Sequence, residues 1–455
     1  MTHSTASRRR RLISAAAVAA SVSLLAACAG AGGNGGGDGG TTTLTLATVN
    51  NPQMKDMESL KYQFEDENPD IKVNFIQMEE NDLRDAVTKD VATQGGQYDI
   101  ATVGAYEVPI WAKNGWLTDL GPKANDDADY DVDDLFPSIK PILGSGDQLF
   151  AVPFYGESSL LMYRKDIFEA AGLTMPDEPT WDQVASLAKQ LNDPSKNQTG
   201  ICLRAKPGWG EGMASMTTVV NTFGGQWFDE NWKAQVDQPA FTEAIRFYTD
   251  LLKSAGEKDP VSYGFTECLN LFTQGNAAMW YDATSAAGSV EDPENSKVAG
   301  KVGYVRAPVK DTDESGWLWS WNLAVPKTSK KQDAAWTFVK WATSKEYIKT
   351  VGEDLGWSRV PPASRLSTYD LPEYQKAAAA FAPITQEIMS DVDPEQPGTK
   401  PQQWVGIQYV GIPEWQDLGN QVSQQIADVI AGRSSLDEAL KQGQSLAQKA
   451  GDAQQ

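Results

Sequence analysis

From residue 43 to residue 104 the spacing of apolar positions switches repeatedly between two periods. Thr43–Asn50 (TLTLATVN) alternates apolar and polar residues, as a half-buried strand does. Met54–Asn68 has helical spacing and stops at the polar run ENPD; Ile71–Ile76 alternates again. Leu83–Thr93 returns to helical spacing and closes at Gly95-Gly96, and Tyr98–Gly104 (YDIATVG) reads as a third strand. Strand, helix, strand, helix, strand predicts an α/β fold with a parallel sheet. Ligands of such sheets sit beyond the carboxyl ends of the strands, which points to Asn50-Asn51, Glu79-Glu80-Asn81 and Tyr106-Glu107, with Asn50, Glu80, Asn81, Tyr106 and Glu107 as the candidates.

The rest of the chain continues in this style. Leu149–Gly172 is a long apolar block, and PTWDQVASLAKQL behind it predicts a helix with Thr180 as its N-cap. Thr199–Lys206 reads as a strand, Phe241–Gly256 as a helix, and Ala277–Thr284 as a strand. VGYVRAPV then leads to GWLWSWNLAVP, Gly316–Pro326, whose Trp317, Trp319 and Trp321 share one face of an extended strand. That face is either core or a stacking platform for a ligand. Trp319, Trp321 and Asn322 lie nearest the strand end and suit the platform, whereas Trp317 is expected to pack. Asp333–Ile348 predicts one helix with Ala335, Phe338, Val339 and Ala342 buried.

The two ends narrow the setting. Four arginines, Arg8–Arg11, precede an apolar run from Leu12 to Ala27 and then Cys28, the order of an export signal. Leu25-Ala26-Ala27-Cys28 resembles a bacterial lipobox, so residues 1–27 read as a signal peptide and Cys28 as the lipidated residue. The apolar run is shorter than the roughly 20 residues a membrane-spanning helix needs. Export by the general or the twin-arginine route stays open. Residues 28–40 form a tether, in which eight of the twelve residues Ala29–Gly40 are glycine.

Without the four arginines of the leader, 35 basic residues face 61 acidic ones, a net charge of −26. That argues against nucleic acid or an anionic bilayer as a partner. His3 is the only histidine and leaves with the signal, which removes histidine triads, imidazole bases and His-ligated zinc from the exported chain. No dense acidic calcium loop occurs either, so neither metal nor cofactor is expected. Cys202 and Cys268 could form a disulfide or remain two buried thiols. About 410 residues of body are enough for two domains.

The order of ENPDIKV, QYDI, VPFYGESSLLMYRKDIFEAAGL with PTWDQ, FTQGNAAMW, SWNLAVPKTSKKQDAAWTFVKW and GRSSLDEALKQGQ resembles the extracytoplasmic solute-binding proteins of bacterial ABC importers, the group of maltose-binding protein. MEENDLRDAV, YEVPIWAKNGWL, GWGEGM, WYDAT, WLWSWNL and YVGIPEW are similar to segments of the sorbitol and mannitol binding proteins. The resemblance implies a type II periplasmic-binding-protein-like fold with two α/β lobes and a ligand cleft between them. Lobe I would hold residues 41–153 and 311–357, and lobe II residues 154–310 and 358–451. It further implies a monomer, attached to the membrane by its lipid alone, that passes a polyol or sugar to a permease.

A polyol needs acceptors and donors for its hydroxyls and aromatic faces for its carbon edge. Tyr155 and Glu157 in FYGES, Arg204 after an apolar strand, Trp209 in the loop PGWGEG, and the pair Trp280/Asp282 supply these types, with Arg359 and Gln408 at the rim. Arg204 has a structural alternative, an ion pair with Glu157 or Asp282. The rival classes are an exported glycoside hydrolase or lyase, which could work through paired acids, and a surface adhesin. No carboxylate pair stands out for the first, and the clustered aromatics and acids do not suit the second, so binding without turnover is expected.

Overall fold

The computed structural model describes residues 40–455; the signal peptide, Cys28 and the tether up to residue 39 lie outside the described residues. Among the described residues there are eight strands: β1 (Thr42–Val49), β2 (Ile71–Met78), β3 (Ile100–Gly104), β4 (Val152–Glu157), β5 (Ser159–Arg164), β6 (Met279–Ala283), β7 (Val302–Arg306) and β8 (Trp319–Ala324). The principal helices are α1 (Pro52–Glu67), α2 (Glu80–Thr93), α3 (Trp181–Leu191), α4 (Pro239–Ala255), α5 (Phe265–Thr273), α6 (Gln332–Ala342), α7 (Lys345–Asp354), α8 (Trp415–Ile430) and α9 (Leu436–Asp452). No helix among the described residues is long and apolar enough to cross a membrane.

The strands form two sheets, β2-β1-β3-β8-β4 and β6-β5-β7. β1 pairs in parallel with β2 and β3, as the alternating periods predict. β8 runs antiparallel to both β3 and β4, so the first sheet is mixed rather than wholly parallel. The reason is the chain path, because β8 re-enters the first sheet after β7 in the second. β4 runs into β5 across Ser158 alone. A boundary at 153/154 would therefore cut β4, whose pairing with β8 continues to Glu157.

β3, β4, β6 and β8 are buried along their whole length, which explains why alternation fades in those segments. α1 and α6 pack on one face of the first sheet, with the Phe64 and Phe338 rings edge to face at 5.0 Å. The stripe expected on α6 is buried, including Ala335, Phe338, Val339 and Ala342. The single helix expected over Asp333–Ile348 is instead two, because the Ser344 side chain caps α7 by accepting from the Tyr347 N–H. Thr180 caps α3 in a full capping box, and Ser435 does the same for α9.

Thr199–Lys206 is not a ladder strand. It touches β6 and the residue stretch before it through isolated bridges, Thr199 to Ala277 and Cys202 to Trp280, and its other backbone partners lie off the sheet. Cys202 and Cys268 are bonded to each other, which ties this segment to α5.

Candidate functional site

Between the two sheets lies a small cavity. One wall comes from the first sheet and its helices. Glu80 and Arg84 project from the first two turns of α2, four residues apart on one helix face, with Asn51 beside them at the start of α1. The opposite wall carries Arg204, Trp209, Gly210, Ala214 and Phe265. Glu157, at the end of β4, and Gln408 complete the enclosure, together with Trp317, Trp319 and Trp321.

All three alternating tryptophans line the cavity. This corrects the expectation that Trp317 packs away from it, and the period of two already placed it on the same face. Trp319 and Trp321 stand edge to face at 5.7 Å, and Trp209 meets Trp319 at the same distance. Asn322, by contrast, points to the opposite face of β8. It is fully buried there and donates to the carbonyls of Val103 and Ser320, so it does not reach the cavity.

Two buried guanidinium groups organise the charges. Arg204 makes a bidentate pair with Asp282, with Nε to Oδ2 at 2.9 Å and Nη2 to Oδ1 at 2.5 Å. Asp282 also accepts from Trp280 Nε1 and from the Ala283 N–H, so it supports Arg204 from behind instead of lining the cavity. Trp280 is likewise behind the wall, packed against Phe265 and Phe272. Both residues are displaced from the expected site because β6 is buried along its whole length and Arg204 pairs with Asp282 near its end.

Arg84 donates to Glu80 and Glu107, and its guanidinium lies 4.0 Å from the Trp209 ring centroid, with Trp321 and Trp319 at 4.9 and 5.1 Å. Burial works against its charge, but the two carboxylates outweigh this and hold its pKa above the ordinary value. Strand-end reasoning selects Glu80 and Glu107 and passes over Arg84. Its signal in the sequence is an arginine within the apolar stripe Leu83, Arg84, Val87, Val91 of α2. Asn51 follows the end of β1, where the strand-end rule also points, whereas Gly210, Ala214 and Phe265 have no comparable signal.

Several expected residues support the wall or its rim. Tyr155 accepts from Asn51 Nδ2 at 2.7 Å, and the Tyr106 hydroxyl donates to the Ile412 carbonyl at 2.9 Å. Asn50 donates to Glu79 at the rim, where Glu79 also pairs with Lys206 at 2.8 Å across the mouth. Asn81 Nδ2 donates to the Pro207 carbonyl at 3.0 Å. Gly208 (φ 144°) and Gly210 allow these approaches, since a Cβ at 208 would collide with Asn81 and one at 210 with Glu80. Arg359 lies elsewhere, paired with Asp56 and, at 3.5 Å, with Asp292.

Trp209 is 1% exposed, not the open loop anchor that its glycine neighbours suggest. Its backbone N–H donates to Asn420 Oδ1 of α8, and Tyr106, Tyr409 and Trp415 surround the ring. Three buried polar atoms of cavity-lining residues have no partner in the protein: Trp209 Nε1, Trp317 Nε1 and Gln408 Oε1. Burial pushes the Glu157 carboxyl up to about 7, against the opposing pull of the Ser285 hydroxyl and Arg204. Glu211, behind Gly210, is raised to about 7 as well, by burial and by Glu80.

Residues 32–349 match the family described as bacterial extracellular solute-binding protein. A mannitol-binding protein of Pseudomonas aeruginosa is 46% identical over 402 residues, covering 88% of this chain and 91% of that protein. An ABC transporter solute-binding protein of Agrobacterium vitis S4, solved with bound D-mannitol, is 49% identical with a TM-score of 0.88, covering 90% of this chain and 98% of that one. One from Agrobacterium radiobacter K84, in complex with ribitol, is 27% identical with a TM-score of 0.80, covering 90% and 99%.

Proposed function

The chain belongs to the bacterial extracellular solute-binding proteins, and from that membership we propose that it captures one acyclic sugar alcohol, of the mannitol or ribitol class, for an ABC transporter. The observation that carries this is the set of unpartnered buried atoms around the cavity, two indole N–H donors and one amide oxygen. Each such atom left unsatisfied costs about 1–3 kcal/mol, and a ligand hydroxyl, which both donates and accepts, satisfies either kind.

Glu80 and Glu157 accept from ligand hydroxyls, Arg204 donates, and Trp317, Trp319, Trp321 and Phe265 cover the carbon chain. Arg84, Asp282, Glu107, Tyr155 and Tyr106 position these groups. The two sheets are the cores of two lobes that close on the ligand. Lobe I comprises residues 41–157 and the part of the chain from β8 through α7; lobe II comprises the remainder, with the hinge at Ser158 and in the segments flanking β8 and α7. Closure requires contacts from both lobes at once, which Lys206–Glu79, Asn81–Pro207 and Arg84–Trp209 supply here. The protein is a monomer outside the cytoplasm, tethered through a lipid on Cys28, and delivers its cargo to the permease without chemical turnover.

A calorimetric panel of mannitol, sorbitol, ribitol and maltose tests this. One polyol bound per chain, with a smaller radius of gyration in solution scattering at saturation, is the expected result. Binding of maltose alone, or conversion of any polyol to a new product, would overturn it.

A further inference from the structure

The cavity is not electrically balanced. Five carboxylates, Glu80, Glu107, Glu157, Glu211 and Asp282, surround two guanidinium groups, Arg84 and Arg204. Both guanidinium groups are already committed, Arg84 to Glu80 and Glu107, and Arg204 to Asp282 with Glu211 at 3.8 Å. Glu211 also has Lys206 at 4.0 Å. That leaves Glu157.

Its carboxylate lines the cavity, is buried, and accepts one hydrogen bond, from Ser285 Oγ. Among the described residues no lysine or arginine forms an ion pair with it. A buried carboxylate without a counter-ion is costly, and its persistence at a ligand-facing position asks what neutralises it. Burial pushes its pKa up to about 7, and the Ser285 hydroxyl and the charge of Arg204 oppose this without cancelling it. A neutral hydroxyl can donate to Glu157 but leaves its charge in place. A primary ammonium donates and neutralises together, and it is also attracted by the faces of Trp317, Trp319 and Phe265, which line the same space.

We propose that this cavity takes protonated amino-polyols, alditols with one ammonium in place of a terminal hydroxyl, in preference to the neutral alditol, with Glu157 as the counter-ion. The substitution exchanges one heavy atom for another, so the ligand keeps its length and its remaining hydroxyls keep their partners. The same charge balance excludes alditol carboxylates, which would bring a further anion into the space. The inference rests on the polyol reading of the site and adds a charge preference to it.

The test compares three ligands that differ at one carbon: D-mannitol, 1-amino-1-deoxy-D-mannitol and D-mannonate. Because the two ends of mannitol are equivalent, substituting either end gives the same compound. Calorimetry at pH 7.5 on the whole exported chain is expected to show the amine binding at least tenfold tighter than mannitol and mannonate at least a hundredfold weaker. In Glu157→Gln the ratio of amine to mannitol affinity is expected to fall at least tenfold. An amine that binds no tighter than mannitol overturns the charge preference and leaves the polyol reading standing. Failure of mannitol with retention of the amine overturns the polyol reading instead. A tighter amine whose advantage survives in Glu157→Gln overturns the assignment to Glu157. Should that variant not fold, the three-ligand series on the parent protein still decides the preference.

Discussion

Each wall of the cavity holds one buried arginine, but the two are held differently. Arg204 is gripped by Asp282 and the Gly210 carbonyl, partners on its own side of the cavity, and its carboxylate is itself tied to Trp280 and the backbone of Ala283. Arg84 also has its carboxylates on its own side, but the nearest ring to its guanidinium is Trp209, from the opposite wall. One site can be complete before the walls approach each other. In the proposed closure the other is completed by their approach. A binding protein needs both, a preformed group that meets the ligand first and a contact that rewards closure afterwards.

The largest effect is expected where the preformed pair is broken. Asp282→Ala leaves the Arg204 guanidinium buried without its bidentate partner, with only Glu211 at 3.8 Å as a carboxylate, so denaturant unfolding should show a loss of about 3–5 kcal/mol whether or not polyol is present. Arg84→Met should separate the two regions. Burial already holds Glu107 above the ordinary carboxylate range, so it can take a proton when its partner is removed, and the expected stability loss is about 1–3 kcal/mol. Polyol affinity should nevertheless fall about a hundredfold by calorimetry, because the variant lacks the contact that closure completes. Equal stability losses in the two variants would erase the distinction.

Trp209→Phe is a finer probe, since it keeps a ring beside Arg84 but removes the unpartnered Nε1. Affinity should drop about tenfold, near 1.4 kcal/mol, with little change in melting temperature. The smallest effect concerns pH. Glu157 and Glu211 both have folded pKa values of about 7 against an ordinary value of 4.5. The folded state therefore holds their protons more tightly than the unfolded chain does. Their contribution to stability is complete below about pH 4.5 and is lost as pH rises through about 7. The ligand-free melting temperature should fall between pH 5 and 8, and more gently in Glu157→Gln. A slope unchanged in that variant would mean that Glu157 does not titrate in this window.

Local pattern was enough for β1, α1, β2, α2 and β3, and for the cap at Thr180, because those features depend on residues a few positions apart. The same local logic selected acids and aromatics of which Glu80, Glu157, Trp209, Trp319 and Trp321 line the cavity, along with Arg204 and Gln408. Alternation also carried the position of Trp317, since residues two apart in a strand share a face. Tertiary structure alone decided the rest. Whether Asp282 meets a ligand or anchors Arg204 depends on a partner 78 positions away in the chain. The antiparallel entry of β8 depends on where β7 leaves the chain, and the joining of Cys202 to Cys268 on how α5 lies against the segment before Arg204. Arg84 acquires its role from Trp209, 125 residues later, across a gap that no periodicity describes. Residue type and spacing determine which groups can recognise a hydroxyl-rich ligand. Which of them face it is a property of how two sheets, built from interleaved stretches of chain, come together.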